Sequence, residues 1–263
     1  MSDQDETRSS RDSTRNTLIV AIGVSLVCSI LVSSAAIVLR PTQKENETLF
    51  RHRIVLQVAG LYEEGVSIDE QFEAIETRMV DLSTGEYVDI DPATFNAEHA
   101  ANDPETGVDI PEDEDIARLK RRAKYAPVYL VAEGGQLKQV ILPIRGKGLW
   151  STLYGYLAVE PDGETVRDIK FYEHAETPGL GDQIDRPAWQ SQWQGKQLFD
   201  ADGNPQIEIV LGQAPADSDY QVDGLSGATM TAKGVQNLVR YWTGADGFKA
   251  YLARLGNEAS NNG

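Results

Sequence analysis

Apolar residues change their spacing several times along this chain, and each spacing predicts a different element. From Thr17 to Leu39 no residue carries a charge, TLIVAIGVSLVCSILVSSAAIVL, and Arg15 and Arg40 bound the run. At about 1.5 Å per helical residue this stretch crosses a hydrocarbon layer of about 30 Å, which predicts a single transmembrane helix. A cleaved signal peptide is the rival, with small residues at Ser33, Ser34, Ala35 and Ala36, but the run is longer than the usual apolar core of one. Helical spacing continues past residue 41 through Leu49, Val55, Leu56 and Ala59, and stops at Gly60. Ser67 and Glu70 have the spacing of a capping box, predicting a helix with Phe72, Ile75, Met79 and Val80 on one side. Residues 81–124 have no sustained period and read as irregular.

After residue 125 the pattern becomes a series of short runs of strand character: APVYLVA, KQVILPIR, LYGYLAVE, VRDIKFYE and QIEIVLG. Turn signals such as EGG, PDG and DGNP separate them. Helical spacing returns over Ala232 to Trp242 and Gly247 to Leu255. The predicted class is α+β, an antiparallel sheet with helices packed on it, preceded by one N-terminal transmembrane helix. The expected divisions are a tail at 1–16, the span at 17–39, a helical and irregular membrane-proximal region at 40–124, the sheet domain at 125–256, and a flexible tail at 257–263.

Charge narrows the partners. The formal net charge is −17, and since residues 1–40 hold four acidic and four basic side chains, the excess lies entirely beyond them. Nucleic acid is thereby disfavoured, because phosphate backbones call for clustered Lys and Arg. Positive charges flank the apolar run on both sides, so their count alone leaves its orientation open. Cys28 is the single cysteine, which excludes a disulfide or a cysteine-held cluster within the chain. His52, His99 and His174 are scattered, and no metal site is expected from them. Seven acidic residues between Asp103 and Asp115 precede five basic ones between Arg118 and Lys124. That run reads as a solvated loop entering a helix start, with a docking surface for another subunit as the alternative.

One stretch points to chemistry. DGLSGATMT, Asp223 to Thr231, places three hydroxyl side chains and small residues directly before a helical segment. Gly227 and Ala228 leave backbone N–H groups open to an anion, and Thr231 stands near the expected N-cap of a helix whose N-terminus attracts phosphate. Lys233 adds a positive charge. A purely structural turn with a good helix cap accounts for much of the same composition. A catalytic serine is disfavoured, because Ala228 stands where the G-x-S-x-G pattern needs its second glycine.

DGLSGATMT resembles the covalent flavin attachment motif of FMN-binding domains in respiratory redox complexes. ETPGLG, Glu176 to Gly181, is similar to a turn of the same domains. RGKGLWSTLYGYLAV, RRAKYAPVYLV and MVDLSTGEYV resemble the C-subunit family of the sodium-translocating NADH:quinone reductases, as does the single preceding span. The G subunit of Rnf complexes, the alternative, would share mainly the ETPGLG and SGAT segments. The resemblance implies a bacterial inner-membrane protein with its FMN-binding domain on the outer, periplasmic side. It implies FMN carried as a phosphoester on Thr229, placed there from FAD by a separate flavin transferase. It further implies an electron carrier between NADH and ubiquinone in a sodium pump completed by the A, B, D, E and F subunits. Around the flavin it places Ser226, Gly227, Ala228 and Thr231, with Ser226 and Thr231 donating to the phosphate. Glu176, Thr177, Gly179 and Leu180 are expected to bring exposed backbone and an apolar side chain to the ring, with Gly148, Leu149, Trp150 and Ser151 as the opposite wall. Trp189 and Trp193 are expected to be packing residues only.

Overall fold

The computed structural model describes residues 14–262 and divides the chain into two compact units between Phe50 and Arg51. Helix α1, Thr14–Ala59, runs through that division. Within the first unit it contains the whole predicted span, and its apolar side chains, among them Leu18, Ile22, Leu26 and Ile30, are exposed on every side. A helix apolar all round with nothing packed on it is suited to lipid. Among the described residues it is the one helix long and apolar enough to cross a membrane.

The second unit is built on a six-stranded antiparallel sheet. Its strands are β1 (Ile75–Asp81), β2 (Tyr87–Val88), β5 (Tyr125–Glu133), β6 (Gln136–Lys147), β7 (Thr152–Val159) and β8 (Val166–Glu173), in the order β2-β1-β5-β6-β7-β8. Two small pairs lie outside it: β3 (Gly107–Asp109) with β4 (Arg121–Ala123), antiparallel, and β9 (Glu208–Ile209) with β10 (Gln221–Val222), parallel. Helices α2 (Ile68–Phe72), α3 (Ala97–Asn102), α4 (Pro187–Gln190), α5 (Thr229–Thr243) and α6 (Lys249–Asn262) complete the unit.

Both faces of the sheet are covered, which explains why β6 reads as a nearly continuous apolar run. Val140, Leu142 and Ile144 belong to the larger core with Val235, Leu238 and Val239 of α5 and Leu252 of α6, whereas Ile141 joins the smaller core with Val55, Leu56 and Val58 of α1. Alternate residues of a strand point to opposite faces, so each face receives its own set. Burying each such side chain stabilises the fold by about 1.5–3 kcal/mol. Trp242 Nε1 donates to Arg145 O at 2.7 Å and fixes α5 against the end of β6. On the other face α1 stops at Ala59, whose carbonyl accepts from buried Gln139 Nε2 at 2.7 Å, while Leu61 N–H bonds back to Leu56 O.

Several local expectations are corrected. No helix runs from Ser67 to Val80: α2 ends at Phe72, the Ser67 side chain caps nothing, and Ile75, Met79 and Val80 lie in strand β1. Seven residue pairs from Ile75↔Val131 to Asp81↔Tyr125 join β1 to β5, and this pairing outweighs a weak local helical period. The sheet thus crosses the boundary expected at residue 124. The acidic-to-basic run leads into strand β4 rather than a helix, and Asp115 accepts from Leu119 N and Lys120 N at 2.8 and 2.7 Å. The tail from residue 257 is helical to Asn262, with Arg254 bridging to Glu258 at 3.1 Å.

Candidate functional site

Three turns from distant parts of the chain meet at the N-terminus of α5. The first, Gly148 to Ser151, joins β6 to β7 and is closed by Gly148 N–H to Ser151 O at 2.8 Å. Ser151 Oγ accepts from Ala175 N at 2.8 Å and ties this turn to the segment after β8. That segment carries the second turn, in which Leu180 N–H bonds to Thr177 O at 3.0 Å. Pro178 followed by Gly179 at φ +79° is the sequence and conformation of a type II turn. The third turn, Asp223 to Ala228, leads into α5, and Gly227 takes φ +73° there. A side chain at Gly227 would also displace that of the exposed Leu180, whose Cδ2 would lie 2.9 Å from the added Cβ.

Polar side chains lock the turns together. Glu176 is 5 % exposed, and its Oε1 accepts from Trp150 N at 3.0 Å. Its Oε2 accepts from Leu149 N at 3.3 Å and from the Thr231 hydroxyl in a short bond. Burial pushes the Glu176 carboxyl up, but the bonds from Thr231 and from the N–H groups of Trp150, Leu149 and Ser151 outweigh it and hold the group below its ordinary value. Gln183 Nε2 donates to both Leu180 O at 2.7 Å and Ser226 O at 3.1 Å, joining the second turn to the third. Asp223 accepts from Ala214 N at 2.8 Å and from Gln192 Nε2 at 3.2 Å, and its carbonyl accepts from Trp189 Nε1 at 2.9 Å.

What this scaffold presents to solvent is unusual. Thr229 is exposed at the first position of α5, and around the three turns stand exposed Leu149, Trp150, Leu180 and Met230. Trp150 is 64 % exposed yet held, its Nε1 donating to Thr177 Oγ1 at 3.0 Å. Large apolar side chains fixed in water beside a helix N-terminus suit a ligand with a flat apolar body and an anionic group. FMN has those two parts, and the first-turn amides of α5, which have no partner within the helix, suit its phosphate.

The site residues expected from the sequence separate into two layers. Thr229, Ser226, Gly227, Leu149, Trp150, Thr177, Gly179 and Leu180 lie on the exposed layer, while Ala228, Glu176 and Thr231 are buried beneath it and Gly148 and Ser151 are half-buried. Two expectations are corrected by this layering. Thr231 stands in the first turn of α5, close to the N-cap Ala228, but its hydroxyl donates to Glu176 and not to a phosphate. Glu176 presents no exposed backbone but a buried carboxylate. Met230, Gln183, Gly181 and His174 belong to or adjoin the quoted motifs, but the sequence assigned them no role. His174 Nδ1 accepts from Glu176 N at 3.2 Å, while its Nε2 bonds to Asp185 Oδ2 at 2.7 Å. Trp189 and Trp193 are packing residues as expected, edge to face at 5.6 Å, with Trp189 also anchoring Asp223.

The chain's similarities agree with this geometry. The family described as FMN-binding domain matches residues 148–244, from the first turn of the site to the end of α5. A Yersinia pestis protein, named as the C subunit of a Na(+)-translocating NADH-quinone reductase, is 45 % identical over 257 residues, covering 96 % of this chain and 97 % of the relative. A Pseudomonas aeruginosa protein of the same name is 47 % identical over 253 residues, 93 % of this chain and 97 % of its own. Among solved structures, Shewanella oneidensis NqrC superimposes with a TM-score of 0.75 at 38 % identity, over 82 % of this chain and 99 % of that one. The C subunit from Parabacteroides distasonis gives 0.65 at 26 % identity, over 81 % and 96 %. With three turns gathered around an exposed threonine and relatives matched along almost their whole length, the chain belongs to the C-subunit family of the Na(+)-translocating NADH-quinone reductases.

Proposed function

We propose that this chain is the membrane-anchored electron-carrier subunit of a sodium-translocating NADH:quinone reductase, and that it holds its FMN by a phosphoester at Thr229. The observation that carries the reading is the exposed Thr229 at the first position of α5, next to the exposed Met230, on the turn that the Leu180 and Trp150 turns meet. When bound, FMN supplies reversible electron transfer through its ring system. The residues of the chain supply the rest. The amides of the first turn of α5 stabilise the phosphate against the acidic field of the domain, and the Ser226 hydroxyl adds a donor from the preceding turn. Trp150, Leu149 and Leu180 are the exposed apolar side chains that would hold the ring and shield it from water.

Attachment is a transfer in which Thr229 Oγ bonds to the flavin-side phosphorus of FAD, the pyrophosphate bond breaks, AMP leaves and the hydroxyl proton is lost. A separate flavin transferase performs it. In this reading the flavin domain lies on the periplasmic face of a bacterial inner membrane, tethered by the anchor, and the A, B, D, E and F subunits supply the remaining carriers, quinone chemistry and sodium path. A covalent link suits that side of the membrane, since a flavin lost there could not be replaced from the cytoplasm.

Peptide mapping by mass spectrometry of the full chain, produced with its transferase, tests the reading. An FMN-sized increment on the peptide bearing Thr229, absent from Thr229→Ala, is expected. An adduct on Ser226 or Thr231, or full retention in Thr229→Ala, would overturn the assignment.

A further inference from the structure

We propose that Glu176 is a positioning residue for flavin loading, which fixes the Leu149–Trp150 wall against the first turn of α5 before the cofactor arrives. The inference rests on the reading above and reassigns part of the motif: Gly148, Glu176, Gly181 and Thr231 serve a latch beneath the site and not the flavin directly.

The latch is closed on every side. Glu176 Oε1 takes Trp150 N, and Oε2 takes both Leu149 N and the hydroxyl of Thr231, which is 1 % exposed. One carboxylate thereby joins the turn after β6 to α5. From behind, Glu176 N–H is held by His174 Nδ1, and His174 in turn by Asp185. The surrounding space admits no larger residues. A Cβ on Gly148 would lie 2.6 Å from Glu176 Oε1, and one on Gly181 would lie 2.8 Å from Thr231 Oγ1 and 3.1 Å from Glu176 Oε2. Gly234, a turn further along α5, meets Lys147 O at 2.6 Å and Gly148 Cα at 3.1 Å in the same sense, so α5 and the first turn touch backbone to backbone.

A carboxylate is suited to this task because every group facing it is a donor. Its four lone-pair directions accept several N–H and O–H bonds at once. Glutamine keeps one acceptor oxygen, and its NH2 would face the Leu149 amide N–H. The consequence for loading is geometric. Thr229 and Trp150 belong to different segments, and Glu176 with Thr231 is the bonded path that sets the wall at a fixed place relative to the acceptor helix. The same contact withholds Thr231 from modification, which leaves Thr229 as the exposed threonine of the turn.

The experiment uses the full chain co-expressed with its flavin transferase, comparing wild type, E176Q, T231V, T231S, the E176Q/T231V pair and the core control L238A. Intact mass followed over time reads the rate of FMN acquisition, visible circular dichroism reads how the bound flavin is held, and thermal melting reads stability. A broken charge-assisted bond is expected to slow loading about tenfold in E176Q and T231V, with an altered flavin dichroism in the fraction that loads. T231S should load within about twofold of wild type, and the double variant should be slowed by less than the product of the two single effects, because both remove the Glu176–Thr231 contact. Wild-type loading and dichroism in E176Q would overturn the proposal. So would a loss that L238A reproduces at an equal fall in melting temperature. If wild type itself carries no FMN, the functional reading fails; if wild type loads and E176Q loads equally well, only the latch does.

Discussion

Two regions of the sheet domain use aromatic side chains in opposite ways. On the face covered by the end of α1, Phe72, Tyr129, Tyr156 and Tyr172 form a chain of ring contacts with centroids 6.1, 5.7 and 5.2 Å apart, and Tyr156 is buried. At the N-terminus of α5, Trp150 stands in solvent, although its indole N–H is anchored. In the first region apolar surface is covered by the protein's own chain, and burial pushes the phenols up, Tyr172 to about 12. In the second, buried polar groups hold apolar side chains outward, and the Glu176 carboxyl is held down. Rings packed by their own fold stabilise it, whereas rings that a polar scaffold keeps in water mark the place of a ligand.

This contrast predicts very different responses to substitution. Thr229→Ala is expected to abolish the covalent FMN while moving stability by no more than about 0.5 kcal/mol, as intact mass and melting would show, because the residue is exposed. Ile141→Ala, fully buried on the α1 side, should do the reverse, costing about 2–5 kcal/mol in denaturant unfolding while sparing the FMN adduct of the folded fraction.

Titration separates the regions at opposite extremes of pH. A carboxyl lowered on folding contributes stability that is present above its unfolded value and lost as pH falls through the folded one. Glu176→Gln should therefore flatten the acid limb of a stability profile. A phenol raised on folding contributes in the opposite sense, its stability being complete below the unfolded value and lost as pH rises through the folded one. Tyr172→Phe should reduce the loss of stability between about pH 10 and 12 in alkaline melting curves. The smallest effect is expected at Ser226→Ala, where a modest fall in FMN occupancy by intact mass should accompany an unchanged melt, since this hydroxyl is exposed.

Much of the site was legible in the sequence because its parts are contiguous motifs. The turn at Pro178 and Gly179, the positive φ of Gly227 and the helix that follows are local consequences of local residue types. The roles of Glu176 and Thr231 were not legible. They stand 55 residues apart and meet only when β7, β8 and α5 are in place. Asp223 was visible as the first residue of the attachment motif, but its partners Gln192 and Ala214 have no spacing that relates them to it.

By itself the sequence determined the elements whose period is long and unopposed. A lone uncharged run of that length crosses lipid only as a helix, and the alternation in β5 and β8 has no better use than a sheet. The choice of Thr229 as the proposed acceptor rests on the resemblance of the DGLSGATMT motif. Tertiary structure decided the segments whose local preference is weak or whose partners are remote. Residues 75–81 became a strand because β5 offered them a full ladder, and the last helix continued past Leu255 to Asn262. Of three hydroxyls on one turn, packing buried Thr231 against a carboxylate and left Ser226 and Thr229 in solvent. The physical reason is the same in each case: a local pattern sets the energy of a segment taken alone, while the free energy of a buried polar contact depends on which remote group the fold brings to it.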